Sequence, residues 1–343
     1  MRKLTIIFVL LLLCTGVSMQ AQSFVRNVSN NGTVAAAFLE IGVGARAEAM
    51  GGAYAAQSGY AESIYWNVAG LAFTDKTMAS FTNTQWLADL QLDFGTIAVP
   101  VKSINGTVAV GFTTLGTPSQ PVRTVQQPEG TGEMYDARDF AFNFSAASKL
   151  ADNFSVGLTA KYINQRIYNV SAQQIALDAG IFYQTPVEGL TMGASLSNFG
   201  EDMSLGGRVL DDIIDPDLEN EGVENIPVSY KTRAEALPQI FRFGLAYQRD
   251  VSKDFEITTA VDVLHPRGAT ESVNMGAEFG FRKLFFMRAG YQNLFERYAI
   301  NGLTLGGGLR YMLPNRTVIM VDYAWSDWGI LNDAHRVSLS LAF

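Results

Sequence analysis

Few residues in this chain have the type and spacing for chemistry. The two histidines, His265 and His335, fall at predicted strand ends. A lone histidine there is a solvated side chain unless a substrate and a partner base are brought to it. The one cysteine, Cys14, lies inside the leader described below, so export leaves no thiol nucleophile. No Gly-x-Ser-x-Gly elbow occurs, although a Ser-His-Asp triad is a matter of geometry that sequence alone does not exclude. Gly51-Gly52 and Gly306-Gly307-Gly308 do not lead into Gly-Lys-Ser/Thr, so neither is a phosphate loop. Inside a strand, glycines serve close backbone approach or a bend. The expectation is a non-enzymatic protein.

The remaining chemical candidate is an acidic loop over 201–231, where nine carboxylates stand against Arg208 until Lys231 is reached. Asp215, Asp217 and Glu219 alternate in a way that could gather a hard cation such as Ca²⁺. The central glycine and the length of an EF-hand loop are missing, so a solvated surface loop is the simpler reading. No metal or other cofactor is expected. With 33 acidic against 25 basic residues, the chain lacks the basic face that nucleic acid requires.

The elements that would carry such residues are strands. Charged residues make up only 17% of the 343, against roughly a quarter in average soluble domains, while aromatics reach 11% and glycine 32 residues. That balance suits a sheet with one face toward lipid. Arg2 and Lys3 precede an apolar run over 6–13 and a small-residue stretch to Ala21, which reads as a signal peptide cleaved after Ala21. The run is too short for a spanning helix, which needs about 20 apolar residues. Leu13 stands before Cys14 where a lipidation box wants a small residue. Residues 22–37, rich in Ser and Asn, read as a flexible periplasmic lead-in.

Residues 38–73 break the pattern of the rest. They are rich in Gly and Ala, nearly free of β-branched side chains, and end in the aromatic pair Tyr65-Trp66 followed by Asn67-Val68-Ala69-Gly70. The segment predicts a compact hatch or plug, over 38–75, held inside a sheet rather than joined to it. The aromatic pair either fills the lumen as apolar bulk or belongs to a part that moves. From residue 76 onward, alternation with a period of two hardly stops. In 335–343, Val337, Leu339, Leu341 and Phe343 share one face, the usual C-terminal signal for barrel insertion. Such runs predict about 14 strands, near 77–87, 91–101, 104–114, 138–149, 153–165, 174–184, 190–199, 238–249, 254–264, 272–282, 285–292, 302–313, 317–325 and 334–343.

Connections alternate between tight turns and long segments, the largest at 115–137 and 200–237. Short turns on one side and long loops on the other follow the outer-membrane rule, with the short side periplasmic. A secreted β-sandwich also alternates, but its core would not hold so many Phe, Tyr and Leu. The opposite face carries Lys161, Asp178, Arg242, Glu278, Arg288, Arg310 and Asp322, as a wet lumen would. The expected fold is all-β: a 14-stranded antiparallel transmembrane barrel over 76–343, plugged by its N-terminal segment. Phe182 and Met320, on the inner face, either line an apolar pocket or pack against the hatch.

A family resemblance rests on the hatch. Its residues are Gly42, Gly44, Arg46, Met50, Gly51, Gly52, Tyr65, Trp66, Asn67 and Gly70, read within 38–47, 50–54 and 64–67. They resemble the N-terminal signature of the PorV/PorQ family of outer-membrane proteins, themselves similar to FadL-type barrels that import long-chain fatty acids. The family's usual Trp-Asn-Pro-Ala-Gly-Leu departs here to Val68, which removes a residue that would fix φ and predicts a looser turn. The resemblance implies an outer-membrane barrel of the type IX secretion system of Bacteroidota. Its implied partners are outer-membrane lipid, cargo proteins with C-terminal signal domains and secretion-system subunits. The alternative is a FadL-like transporter of fatty acids or other hydrophobic solutes, and a passive structural barrel is a third possibility.

Overall fold

The computed structural model describes residues 32–214, 226–296 and 299–343. Fourteen strands form a closed antiparallel barrel, numbered here around the wall. They are β1 (Met78–Gln85), β2 (Gln91–Val101), β3 (Gly106–Gly116), β4 (Ala137–Ala151) and β5 (Phe154–Ile167). Then come β6 (Val170–Gln184), β7 (Leu190–Gly200), β8 (Ile240–Asp250), β9 (Phe255–Pro266) and β10 (Ser272–Phe281). The last four are β11 (Phe285–Leu294), β12 (Leu303–Met312), β13 (Val318–Asp327) and β14 (Asp333–Ala342). Each pairs with its sequence neighbours, and β14 closes on β1 from Met78↔Ala342 to Gln85↔His335.

Every strand expected from alternation is present, within a few residues of its expected ends. The physical cause is the two-faced pattern itself. Outward positions are apolar and exposed, as at Phe142, Phe144, Leu158, Ile181 and Leu245. Inward positions are buried and polar or small. Lys161, Asp178, Arg242, Glu278, Arg288 and Asp322 are all inward and buried, while Arg310 is half-buried. Inward hydroxyls pair across the ladder, Thr82 with Ser338 at 2.7 Å and Ser145 with Thr159 at 2.7 Å. Such pairs satisfy the groups without water. The insertion-signal residues Val337, Leu339 and Phe343 are exposed on the outer face, and Leu341 is half-exposed there.

The long connections hold structure that alternation alone does not reveal. Gln120–Pro121 pairs with Met134–Tyr135, and Asp211–Ile214 pairs with Ile226–Ser229. Wherever neighbouring strands meet, the wall is hydrogen-bonded. Bulges interrupt the register between Lys149 and Ala151, Leu177 and Ala179, and Val273 and Met275 without opening it.

Residues 36–73 thread the lumen. At the long-loop end, the Ala35 and Ala36 amides donate to the Ala236 carbonyl and the Gln165 side chain. At the short-turn end, Phe73 packs on Phe182 with ring centres 5.1 Å apart. The described part of the lead-in, 32–37, therefore lies at the long-loop mouth and not on the periplasmic side where the sequence reading placed it. Its backbone finds partners in the wall there, and the chain then descends through the barrel to β1.

Candidate functional site

The segment inside the barrel contains only short helical turns, so most of its backbone groups need partners from outside it. The wall supplies them. In the helix α1 (Ala45–Ala49), entered through Gly44 at φ 83°, the Ala45 amide donates to Ser338 Oγ at 2.8 Å. The Gly51 amide donates to Thr304 Oγ1 at 3.0 Å. The Tyr54 and Ala55 amides both donate to Asp262 Oδ2 at 2.8 Å. Contact is close enough that the facing wall positions must be glycine. A Cβ at Gly193 would strike the Ala55 carbonyl, and one at Gly276 would strike that of Met50. Gly306, inside β12, likewise faces Ala49. Gly51 and Gly52, both at φ 67°, make the turn that follows α1.

Ion pairs hold the segment from several sides. Arg46 forks onto Glu278 with bonds of 2.9 and 2.8 Å, and Arg288 joins the same carboxylate and reaches Asp322 at 2.6 Å. Arg46 also lies over the Tyr60 ring at 3.9 Å. Arg336 pairs with Glu48 at 3.1 Å. Asn67 donates to the Ala55 carbonyl at 2.7 Å and the Ile181 carbonyl of β6 at 2.9 Å, and accepts from the Ala69 amide at 3.2 Å. The turn at Val68, expected to be loose without proline, is fastened by this side chain, and Val68 itself is buried. Tyr65 donates to the Leu39 carbonyl at 2.9 Å, and burial pushes its phenol pKa upward, keeping it a neutral donor. Met50 is buried, and Gly42 and Gly70 are crowded by Glu48 and Gln57.

Above the segment, at the long-loop end, a cavity of about 700 Å³ opens between the strands. Its floor includes Glu40, Tyr65 and Trp66, its walls include Arg242 and Arg336, and Trp86 and Trp328 meet edge-to-face at its rim. Arg242 is the unusual member. It is buried, touches Ser197 Oγ at 3.3 Å and lies 5.4 Å from the Trp66 ring centre. Its Nε has no hydrogen-bond partner, and among the described residues no carboxylate forms an ion pair with it. Glu40, whose side chain meets the cavity, has its carboxyl pKa raised by loss of bulk water, against the pull of Arg242 and with a push from Glu296. A buried guanidinium beside aromatic faces in an open cavity is suited to an anionic group on a partly apolar ligand. The sequence placed Arg242 on the lumen face but gave no sign that its neighbours would leave it unpaired.

Other candidates lie apart. His265 bonds Glu271 at 2.9 Å, and His335 bonds the Tyr323 hydroxyl at 2.8 Å on the outer wall. Asp215, Asp217 and Glu219 fall outside the described residues, as do the leader and the Ala21 cleavage site. Phe182 packs against the inner segment, and Met320, buried, receives Arg310 at 3.8 Å.

Comparison with known proteins agrees with this geometry. No curated protein matches the sequence. Among solved structures, the P. putida toluene transporter TodX superposes with a TM-score of 0.55 at 10% identity, covering 88% of this chain and 98% of that one. The Ralstonia pickettii toluene transporter TbuX gives 0.53 at 14% identity over 88% and 97%. A Pseudomonas aeruginosa FadL homologue gives 0.49 at 13% identity over 85% and 95%. At such identities the likeness to TodX and TbuX is one of fold. Residues 25–189 match the family described as Type IX secretion system protein PorV. The chain is therefore a closed fourteen-stranded β-barrel of the outer-membrane type, and its residues 25–189 match the model of the PorV family.

Proposed function

We propose that this barrel is a receptor of type IX secretion, holding exported cargo at its long-loop mouth for the translocon. The observation that carries this reading is the buried, unpaired Arg242 in a mouth-side cavity above a firmly tied inner segment. The terminal carboxylate of a polypeptide and the apolar side chains beside it suit a guanidinium flanked by Tyr65 and Trp66. The long connections at 115–137 and 200–237, each with a short hairpin, add exposed surface around that mouth.

The alternative is transport of hydrophobic solutes, the role that the names of TodX and TbuX describe for those proteins. Trp86, Leu115, Ile240 and Leu264 along the cavity favour it. Two features count against it: the wall is paired all round, and the lumen below the cavity is filled by ion-paired side chains.

The test is binding of a purified cargo C-terminal signal domain to the purified barrel, alongside surface display of cargo in a deletion strain. Saturable binding with lost display is the expected result. Normal display together with saturable uptake of an aromatic or fatty solute would replace the receptor reading with the transporter.

A further inference from the structure

The inner segment accounts for the lumen but not for an anomaly on the outside of the wall. Facing outward, β8 stays apolar to its long-loop end through Tyr247, Leu245, Phe243 and Phe241. β12 does the same through Leu309, Leu305 and Leu303. On β1 the outward face changes at Asn83, past mid-strand, and Gln85 follows. Five residues of tilted strand above Met78 raise the chain by roughly 12 Å. That is about the middle of an apolar band ~25 Å tall.

Polar groups gather beside it. Asn83 Nδ2 donates to Asp93 Oδ1 at 2.7 Å, on the outward face of β2. Tyr323 and His335 share a hydrogen bond of 2.8 Å on β13 and β14. Asn83, Gln85, Tyr323, His335 and Val337 line an open notch of about 280 Å³. Asp327 and Asp333, cross-strand partners, stand at the long-loop end of the same outward face. No Lys or Arg faces outward on β1, β2, β13 or β14.

Each occupant must answer that chemistry. Hydrocarbon tails give Asp93 and the amides no hydrogen-bond partner. Anionic lipid headgroups meet a carboxylate surface of the same sign. A second copy in two-fold contact would set the acidic patch against itself. The geometry points to a lateral docking surface at the β1–β14 seam for a different integral outer-membrane protein, one presenting arginine or lysine and amide side chains to Asp93 and Asn83. This deepens the secretion reading, on which it rests only for the partner's role.

The test uses a photo-crosslinking phenylalanine derivative in place of Gln85 or Val337 in native outer membranes, with Leu158 and Leu245 as controls on other strands. The expected adduct is one integral outer-membrane protein, formed from the seam positions alone, with arginine or lysine in the crosslinked peptide. Asp93→Asn, and separately Asn83→Leu with Asp93→Leu, leave the lumen untouched and should lower the yield about tenfold. Retained heat-modifiable migration shows that these barrels fold. Adducts with lipid alone, with a second copy, equally from the controls, or unchanged in both variants would overturn the proposal. Cargo display is scored in parallel. Lost display in the deletion strain with no seam adduct removes the surface and leaves the receptor reading. A seam adduct with normal display does the reverse.

Discussion

The guanidinium carbon of Arg242 lies 5.4 Å from the centre of the Trp66 ring, so a buried cation of the wall rests on the aromatic knot of the inner segment. Wall and inner segment meet at this contact, where a guanidinium with no direct ion pair among the described residues faces an open cavity. Hydrogen bonds to charged groups are worth about 1.5–3 kcal/mol, a factor of roughly 10–100 in affinity. Arg242→Ala should weaken binding of a cargo signal domain by that factor. Arg242→Lys should recover only part of it, because an ammonium lacks the planar fork and stacks poorly on Trp66. Titration calorimetry with the three barrels checks both, and equal affinities would remove Arg242 from the site.

The same cavity makes binding depend on pH. Glu40 faces it with a carboxyl pKa raised above its usual 4.5, burial being the larger cause and the attraction of Arg242 opposing it. An acid whose folded pKa is raised is destabilising when ionised. Its contribution to stability therefore improves as pH falls through the raised value, and stops changing below the unfolded one. Protonation also removes a negative charge beside Arg242, so an anionic ligand should bind more tightly as pH falls through that raised value. Glu40→Gln should bind well above and below it and flatten the profile. A slope that survives in Glu40→Gln would assign the dependence to another group, such as Asp139 or Glu296 on the cavity wall.

Glu278 holds Arg46 of the segment and Arg288 of the wall on one carboxylate. Removing the charge leaves the Arg46 guanidinium without its carboxylate and Arg288 with Asp322 alone, and breaking a buried pair typically costs about 3–5 kcal/mol. Glu278→Gln should loosen the segment without dissolving the wall, whose ladders run between strands. Protease added to the purified barrel should then cut within 38–73, while heat-modifiable migration persists. If 38–73 stays as resistant as in the parent chain, the cluster is not what secures it.

How much of this was legible in the sequence depends on the range of the interaction. Strands such as β14 announce themselves because Val337, Leu339 and Leu341 alternate with Arg336, Ser338 and Ser340, a local signal. The Gly and Ala content of 38–73 marked it as a segment that would not join the sheet. What escaped was set by pairings across the lumen. Nothing near Val68 indicated that Asn67 would fasten the turn to Ile181. Nothing near Arg242 indicated that it would remain unpaired while Arg288, similarly inward, would meet two carboxylates. The course of 32–37 to the long-loop mouth depended on Gln165 and Ala236, more than a hundred residues away.

The glycines of the wall offer the sharpest separation of plug from barrel. Gly193 sits inward on β7, where any Cβ would collide with the Ala55 carbonyl and approach the Asn67 amide within 2.8 Å. The obstacle is backbone, held in turn by the Ala55 amide on Asp262, so it has little room to give. A valine there favours the strand itself and still pushes the segment off its seat. Gly193→Val should therefore assemble a closed barrel of normal migration, expose the 55–67 stretch to protease, and bind cargo poorly because Trp66 no longer supports Arg242. Ion conductance in planar bilayers should rise as the lumen clears. Parental conductance and parental protease resistance in this variant would mean the segment tolerates displacement, and the link from seated plug to receptor would fail.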